Sequence, residues 1–176
     1  MDPKWLDPQL IIEIFRKNVT EHYFDTKGRS SRPEFWLFVV GCVVVTLVAS
    51  IVGSIVGYGG LLGAIVNLAL LLPLAGLAAR RLQDTGKAGS LVWLAILPVG
   101  LNLLLTAWGY LAWSAAFGWY GGYYYYWGWP SGLLSLIGLI ASVYIAYLCA
   151  QPGTAGANAF GPEPPKPETS TAKPAT

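Results

Sequence analysis

Residues 35–57 read FWLFVVGCVVVTLVASIVGSIVG, a run with no charged side chain and a heavy share of valine. A hydrocarbon core of about 30 Å is crossed by about 20 helical residues. This stretch is therefore long enough to span a bilayer as a single helix. Its apolar residues do not alternate with polar ones, as the strands of a membrane barrel would. Moving outward from it, charge stays scarce: between Phe35 and Pro162 the only charged side chains are Arg80, Arg81, Asp84 and Lys87. The whole chain is 55% hydrophobic and 11% charged, against about 25% charged in soluble domains. Four charges cannot wet the surface of so long a segment, so its solvent is lipid.

Three further stretches qualify as spans: Gly60–Ala79, Ser90–Trp113 and Ser131–Ala150. The expected fold class is all-α, a polytopic membrane helical bundle of four transmembrane helices preceded by a short amphipathic interfacial helix. The expected organisation is a cytoplasmic amphipathic segment, residues 1–34, then a transmembrane domain, residues 35–150, with spans 35–57, 60–79, 90–113 and 131–150. A Gly- and Pro-rich cytoplasmic tail, residues 151–176, follows; it has no apolar period and is expected to be disordered. Lys and Arg favour the cytoplasmic side of a membrane. Lys4, Arg16, Lys17, Lys27, Arg29 and Arg32 precede the first span, Arg80, Arg81 and Lys87 follow the second, and Lys166 and Lys173 lie in the tail. The two opposite connections carry none. Both termini are therefore expected in the cytoplasm of a bacterial inner membrane.

The first 34 residues lack an apolar core followed by a cleavage site, so the first span is expected to act as its own insertion signal. Within them, Asp7-Pro8 suits a helix start, and Leu10, Ile11, Ile14, Phe15 and Val19 recur at helical spacing opposite Glu13, Arg16 and Lys17. Such a helix lies on the inner membrane face or packs on a partner or on the protein's own loops. Ser31-Arg32-Pro33-Glu34 fits a capping box at the start of the first span, with Arg29 and Arg32 at headgroup level.

Inside the bilayer, Ala49, Gly53 and Gly57 recur every four residues on the first span. Gly138, Ser142, Ala146 and Ala150 do the same on the fourth. Small residues at this spacing let helix backbones approach closely, within the chain or between copies. Pro73 and Pro98 fall inside spans and are expected to kink them. Asn67 and Asn102 are expected to bond to neighbouring helices. The connection Trp113–Trp129 is dense in tryptophan and tyrosine, as an aromatic collar at the outer bilayer edge would be.

The composition also excludes classes. A net charge of +2 with no basic stripe among exposed aromatics does not suit nucleic acid. Cys42 and Cys149 stand far apart in apolar runs, without metal-ligand spacing or a nearby histidine. His22 is the sole histidine, so no nucleophile–base–acid set is available. Catalytic residues, metal and cofactors are all expected to be none, and an enzyme is not expected. No acidic or basic residue lies mid-span, where ion-coupled transporters carry theirs.

Three segments together resemble the domain of unknown function 805 family, the YhaH-like small bacterial inner-membrane proteins. They are Tyr23-Phe24-Asp25-Thr26-Lys27-Gly28-Arg29-Ser30-Ser31-Arg32-Pro33-Glu34-Phe35-Trp36, then Ala79-Arg80-Arg81-Leu82-Gln83-Asp84-Thr85-Gly86-Lys87-Ala88-Gly89, then residues 153–164, Gly153 to Pro164. The match runs from about Leu10 to Pro164. The chain departs from the family at Gln83, where the family often has histidine, at Ser90-Leu91, where a tryptophan pair is common, and at Ala159, where a charge is frequent. The resemblance implies a multi-span inner-membrane fold and carries no settled activity.

Topology gathers the three segments at one face of the bundle. The expected cluster there is Arg29, Arg32, Arg80, Arg81, Asp84, Lys87 and Asn158. Arg80 and Asp84, four apart, are expected to pair on one helix face, while the remaining cations face headgroups or neighbouring loops. Two roles follow: a structural or interaction role that fastens loops and meets a membrane-protein partner or a second copy, or an anion site for lipid phosphate, since arginine clusters bind phosphate bidentately. A subunit of an oligomeric transporter or channel is the third reading.

Overall fold

The computed structural model describes residues 8–57, 59–117 and 129–165. The aromatic connection from 118 to 128, the Asp7 cap and the tail beyond 165 lie outside the described residues. Among the described residues five α-helices follow in order: α1 (Pro8–Thr20), α2 (Arg32–Ile55), α3 (Gly59–Asp84), α4 (Trp93–Phe117) and α5 (Trp129–Ala150), with a 3-10 turn at Gly89–Val92 before α4. Among the described residues four helices, α2 to α5, are long and apolar enough to cross a membrane.

The centre of the bundle is α3, which packs against both α2 and α4, while α5 lies mainly on α4. Along α3 every residue from Ala75 to Leu82 is buried. Around that stretch gather Phe35, Leu37, Phe38 and Cys42 of α2, Val92 of the 3-10 turn, Ala95 and Ile96 of α4, and Ile145, Leu148 and Cys149 of α5. Elsewhere the helices turn apolar side chains outward: Ile55 is 80% exposed and Trp108 70%. A water-soluble protein does not leave so continuous an apolar surface uncovered. Lipid covers it here.

Helix boundaries depart from the apolar runs for local reasons. The Ser31 hydroxyl accepts from the Glu34 N–H at 3.3 Å, so α2 begins at Arg32 rather than Phe35. Helix α3 continues past Ala79 to Asp84, because its charged last turn finds partners instead of water. It stops in a tight cap. The Lys87 N–H donates to Leu82 O at 3.0 Å and the Gly86 N–H to Gln83 O at 3.1 Å, with Gly86 at φ 77°. This left-handed turn suits glycine.

Of the small-residue stripes, Gly138 packs on α4, where an added Cβ would stand 3.2 Å from Val99 Cγ2. Gly53 is buried. Gly57, expected on the same packing face, instead lies beyond α2 at φ 82°, with open space around it. It ends the helix. The two intramembrane amides do tie helices together. The Thr46 hydroxyl lies 3.3 Å from Asn67 Oδ1, and Asn102 Nδ2 donates to Ser131 O at 3.1 Å and Ser135 Oγ at 2.9 Å. Pro73 and Pro98 sit inside continuous helices.

Helix α1 turns its apolar stripe onto the bundle. Leu10 and Ile14 are buried, and the Phe15 ring stacks on Phe38 at 5.3 Å between centroids. The segment after it is not helical. It lies along one face of α3, touching it at positions seven apart. The Tyr23 hydroxyl donates to Ala69 O at 2.7 Å, the Asp25 backbone crosses Gly76, and Gln83 Nε2 donates to Thr26 O at 3.0 Å. Gly76 is there for space: a Cβ would sit 2.9 Å from Asp25 O.

Candidate functional site

The end of α3 enters a region where three chain segments meet: residues 22–31 before α2, the α3 terminus, and the stretch after α5. Arg81 and Asp84, three apart on α3, turn toward the end of α5. Arg81 Nε donates to Cys149 O at 2.9 Å, Nη2 donates to Gln151 O, and Nη1 pairs with Asp84 Oδ2. All three nitrogens of this guanidinium are engaged. Free carbonyls at a helix C-terminus carry the negative end of its dipole, and a cation there is favourable. Arg81 thus closes α5.

Arg29 approaches Asp84 from the other side. Its Nε donates to Asp84 Oδ1 at 2.9 Å, and Nη2 lies 2.7 Å from the same oxygen. Its Nη2 also donates to Thr154 O at 2.6 Å. Nη1 reaches Gly156 O at 2.5 Å and Gly161 O at 3.3 Å. The side chains of Arg29 and Arg81 are each 1% exposed, and that of Asp84 4%. One carboxylate thus holds two arginines, one on each oxygen, and backbone carbonyls absorb the remaining donors. Charge-assisted bonds of this kind are about twice as strong as neutral ones.

Residues 151–165, expected to belong to a disordered tail, instead fold over this clasp as a strap, because Thr154 and Asn158 find backbone acceptors at the end of α3. The Thr154 N–H and hydroxyl both donate to Asp84 O, at 2.9 and 3.0 Å. Asn158 Nδ2 donates to Gln83 O at 3.0 Å and to Thr154 Oγ1 at 2.9 Å, and Asn158 and Gly161 exchange backbone hydrogen bonds. Gly153 presses on Asp84, whose Cγ would lie 2.9 Å from any Cβ there.

The cluster expected from the sequence therefore divides. Arg29, Arg81, Asp84 and Asn158 come together. Arg80 does not pair with Asp84, contrary to the i, i+4 expectation. Asp84 is already held by Arg81 and Arg29, and Arg80 turns to α1, where its Nη2 donates to Asn18 Oδ1 at 2.7 Å. Arg32 is exposed and Lys87 half-buried, and among the described residues neither side chain has a hydrogen bond or ion pair. The Arg29 side chain is sealed inside the protein rather than turned outward to headgroups. The Glu34 carboxylate, expected to cap backbone N–H groups, instead accepts from the Ser30 hydroxyl at 2.8 Å, with Asn18 Nδ2 3.5 Å away.

Three participants were not among the expected residues. Asn18 is fully buried, and a signal for it existed: it continues the Leu10–Ile14 stripe by four residues, and a polar side chain in an apolar stripe needs a partner. Gln83 bridges residues 22–31 and the strap, and Thr154 caps the end of α3. Neither has a sequence signal beyond lying in a motif. At the rim, Asp25 Oδ2 lies 3.3 Å from His22 Nδ1. Chiefly the hydrogen bond from the Lys27 N–H, 3.1 Å long, holds the Asp25 carboxyl below the usual carboxylate range.

Such a molecule is a multi-span helical membrane protein whose buried charged residues gather at one end of the bundle. Residues 23–162 match the family described as protein of unknown function DUF805, and the chain belongs to that family. It is 26% identical over 151 residues to the inner membrane protein YhaH of Escherichia coli K12, covering 83% of this chain and 92% of that one. It is also 32% identical over 91 residues to the inner membrane protein YhaI of the same strain, covering 51% of this chain and 77% of that one. No solved structure matches.

Proposed function

We propose that this protein is a non-catalytic scaffold of the inner membrane, whose clasp end faces the cytoplasm and holds a fixed platform for a membrane-protein partner or a second copy. The observation that carries the reading is the full engagement of Arg29 and Arg81. Their donors meet Asp84 and backbone carbonyls of the strap and the end of α5. An anion-binding or catalytic arginine keeps donors free for its ligand; these two use theirs to fasten chain segments. Arg80, bonded to Asn18, is likewise buried. This arrangement speaks against Arg29, Arg80 and Arg81 as a shared phosphate site. It favours the fastening role.

The cytoplasmic orientation rests on the position of the cations. A cysteine at position 87, probed on intact cells with a membrane-impermeant maleimide, is expected to stay unlabelled until the membrane is opened. Labelling from outside overturns the orientation. For the scaffold role, cross-linking in native membranes is expected to give one discrete higher-mass species with the wild type. Arg29→Gln, which frees the strap, is expected to lose that species while remaining in the membrane. A wild type that stays monomeric over the full cross-linker range defeats the reading.

A further inference from the structure

The α2–α3 surface carries a groove of about 410 Å³, lined by Val39, Cys42, Val43, Thr46, Leu47 and Ser50 of α2 with Asn67 and Leu74 of α3. Its walls are almost wholly apolar, because Thr46 and Asn67 direct their polar atoms at each other. From Val39 to Ser50 it runs for about 16 Å at 1.5 Å per residue. It is open along one side, toward the lipid.

The α2 residues that line the groove form one helical face, and that face continues to the start of the helix. Stepping back from Val43 by seven and eleven residues reaches Trp36 and Arg32, in register with Val39, Val43 and Ser50. Both are exposed. Arg32 is the one member of the expected arginine set that the clasp and α1 leave without a partner among the described residues. A side chain at the first position of a helix leans toward its N-terminal end, here away from the groove and into the headgroup layer. Trp36 stands between cation and groove, at the level that tryptophan favours in membranes.

We infer that this face is a binding site for one anionic phospholipid of the bilayer, with its phosphate on Arg32, its glycerol region against Trp36 and an acyl chain in the groove between α2 and α3. Charge chooses the headgroup and the groove holds the chain. A zwitterionic lipid of the same chains fills the groove and gains less from Arg32. The site is separate from the clasp and does not depend on the scaffold reading.

The test uses the full-length protein reconstituted in a bilayer of phosphatidylglycerol and phosphatidylethanolamine with identical acyl chains. The protein is then extracted, and bound lipid is counted by native mass spectrometry. The wild type is expected to retain phosphatidylglycerol preferentially. Arg32→Gln is expected to lower that preference by about tenfold, the size of one charge-assisted contact. Val43→Trp, which fills the groove, is expected to reduce retention of both lipids. Lys27→Gln removes an exposed cation that is not part of the groove lining and is expected to change nothing. Equal retention of the two lipids by the wild type overturns the site. So does an unchanged preference in Arg32→Gln, an equal fall in Lys27→Gln, or full retention of both lipids in Val43→Trp.

Discussion

The two ends of the bundle are built on different principles. At the clasp end, side chains from α1, α2, α3 and α5 bury Arg80, Arg81 and Asp84 among Phe38, Leu77, Leu82 and Cys149. Many of the bonds there cross between segments far apart in sequence, as from Arg29 to Asp84 and from Arg81 to Cys149. Farther along the bundle, single amides such as Asn102 tie the described helices together, and many of their aliphatic side chains face outward. The difference follows from the solvent. Where helices lie in lipid, burying one more leucine gains little over leaving it against acyl chains. Where the chain leaves the lipid, loops and termini need fastening, and buried polar groups need partners, which Arg81 and Arg29 have at every nitrogen and Arg80 lacks at Nε. Specific, strong contacts therefore concentrate at one end and weak, generic ones through the span.

The most direct way to break that contrast is to remove the hub of the strong end. Asp84→Ala leaves two buried guanidiniums without their carboxylate, and deleting one partner of a buried ion pair costs about 3–5 kcal/mol. The variant is expected to show a large fall in thermal stability in detergent. Rapid proteolysis within residues 151–165 is expected with it, since the strap loses its anchor. Little change in melting together with an intact strap would mean that the carbonyl contacts alone suffice and that the clasp is not the main fastening.

A smaller effect is expected from the seam where residues 22–31 lie on α3. Gly76→Val drives a branched side chain into the Asp25 backbone, which sits 2.9 Å from where even a Cβ would be. Overpacking of this kind costs about 1–3 kcal/mol. The Tyr23–Thr26 segment is expected to lift first, so hydrogen exchange at residues 22–27 should rise while α4 and α5 stay protected. Uniform loosening of all four spanning helices would show instead that the segment is an integral part of the bundle and not a layer laid over it.

The spans and the fold class were legible because membrane thickness and hydropathy alone determine them, with no knowledge of neighbours. The gathering of the charged motifs at one end was legible for the same reason. How the cations divide was not. Arg80 and Arg81 are adjacent and chemically identical, yet one bonds to Asn18 of α1 and the other to the carbonyls after Leu148. The rotation of α3 against α1 and α5 decides between them, and a single sequence does not encode that rotation in any local pattern. The acceptors are the second reason. Most partners of Arg29 and Arg81 are backbone carbonyls, which every residue possesses, so no residue type marks them in advance. Gly76 illustrates the same point. In sequence it is one glycine among several in apolar runs, and only the crossing of Asp25 gives it a reason.

The smallest effect, and the one that sharpens the contrast most, belongs inside the lipid. Asn102 Nδ2 donates to both Ser131 O and Ser135 Oγ and so ties α4 to α5. Interhelical hydrogen bonds in membranes are worth about 0.6 kcal/mol on average, because the separated helices find other polar partners. Asn102→Ala is therefore expected to shift stability by under about 1 kcal/mol, with the strap as resistant to protease as in the wild type. Measured beside Asp84→Ala in the same detergent, it should fall several-fold lower in destabilisation. A loss for Asn102→Ala as large as that for Asp84→Ala would mean that the intramembrane contacts, not the clasp, hold α5 in place, and the two ends would then have to be read as one cooperative unit.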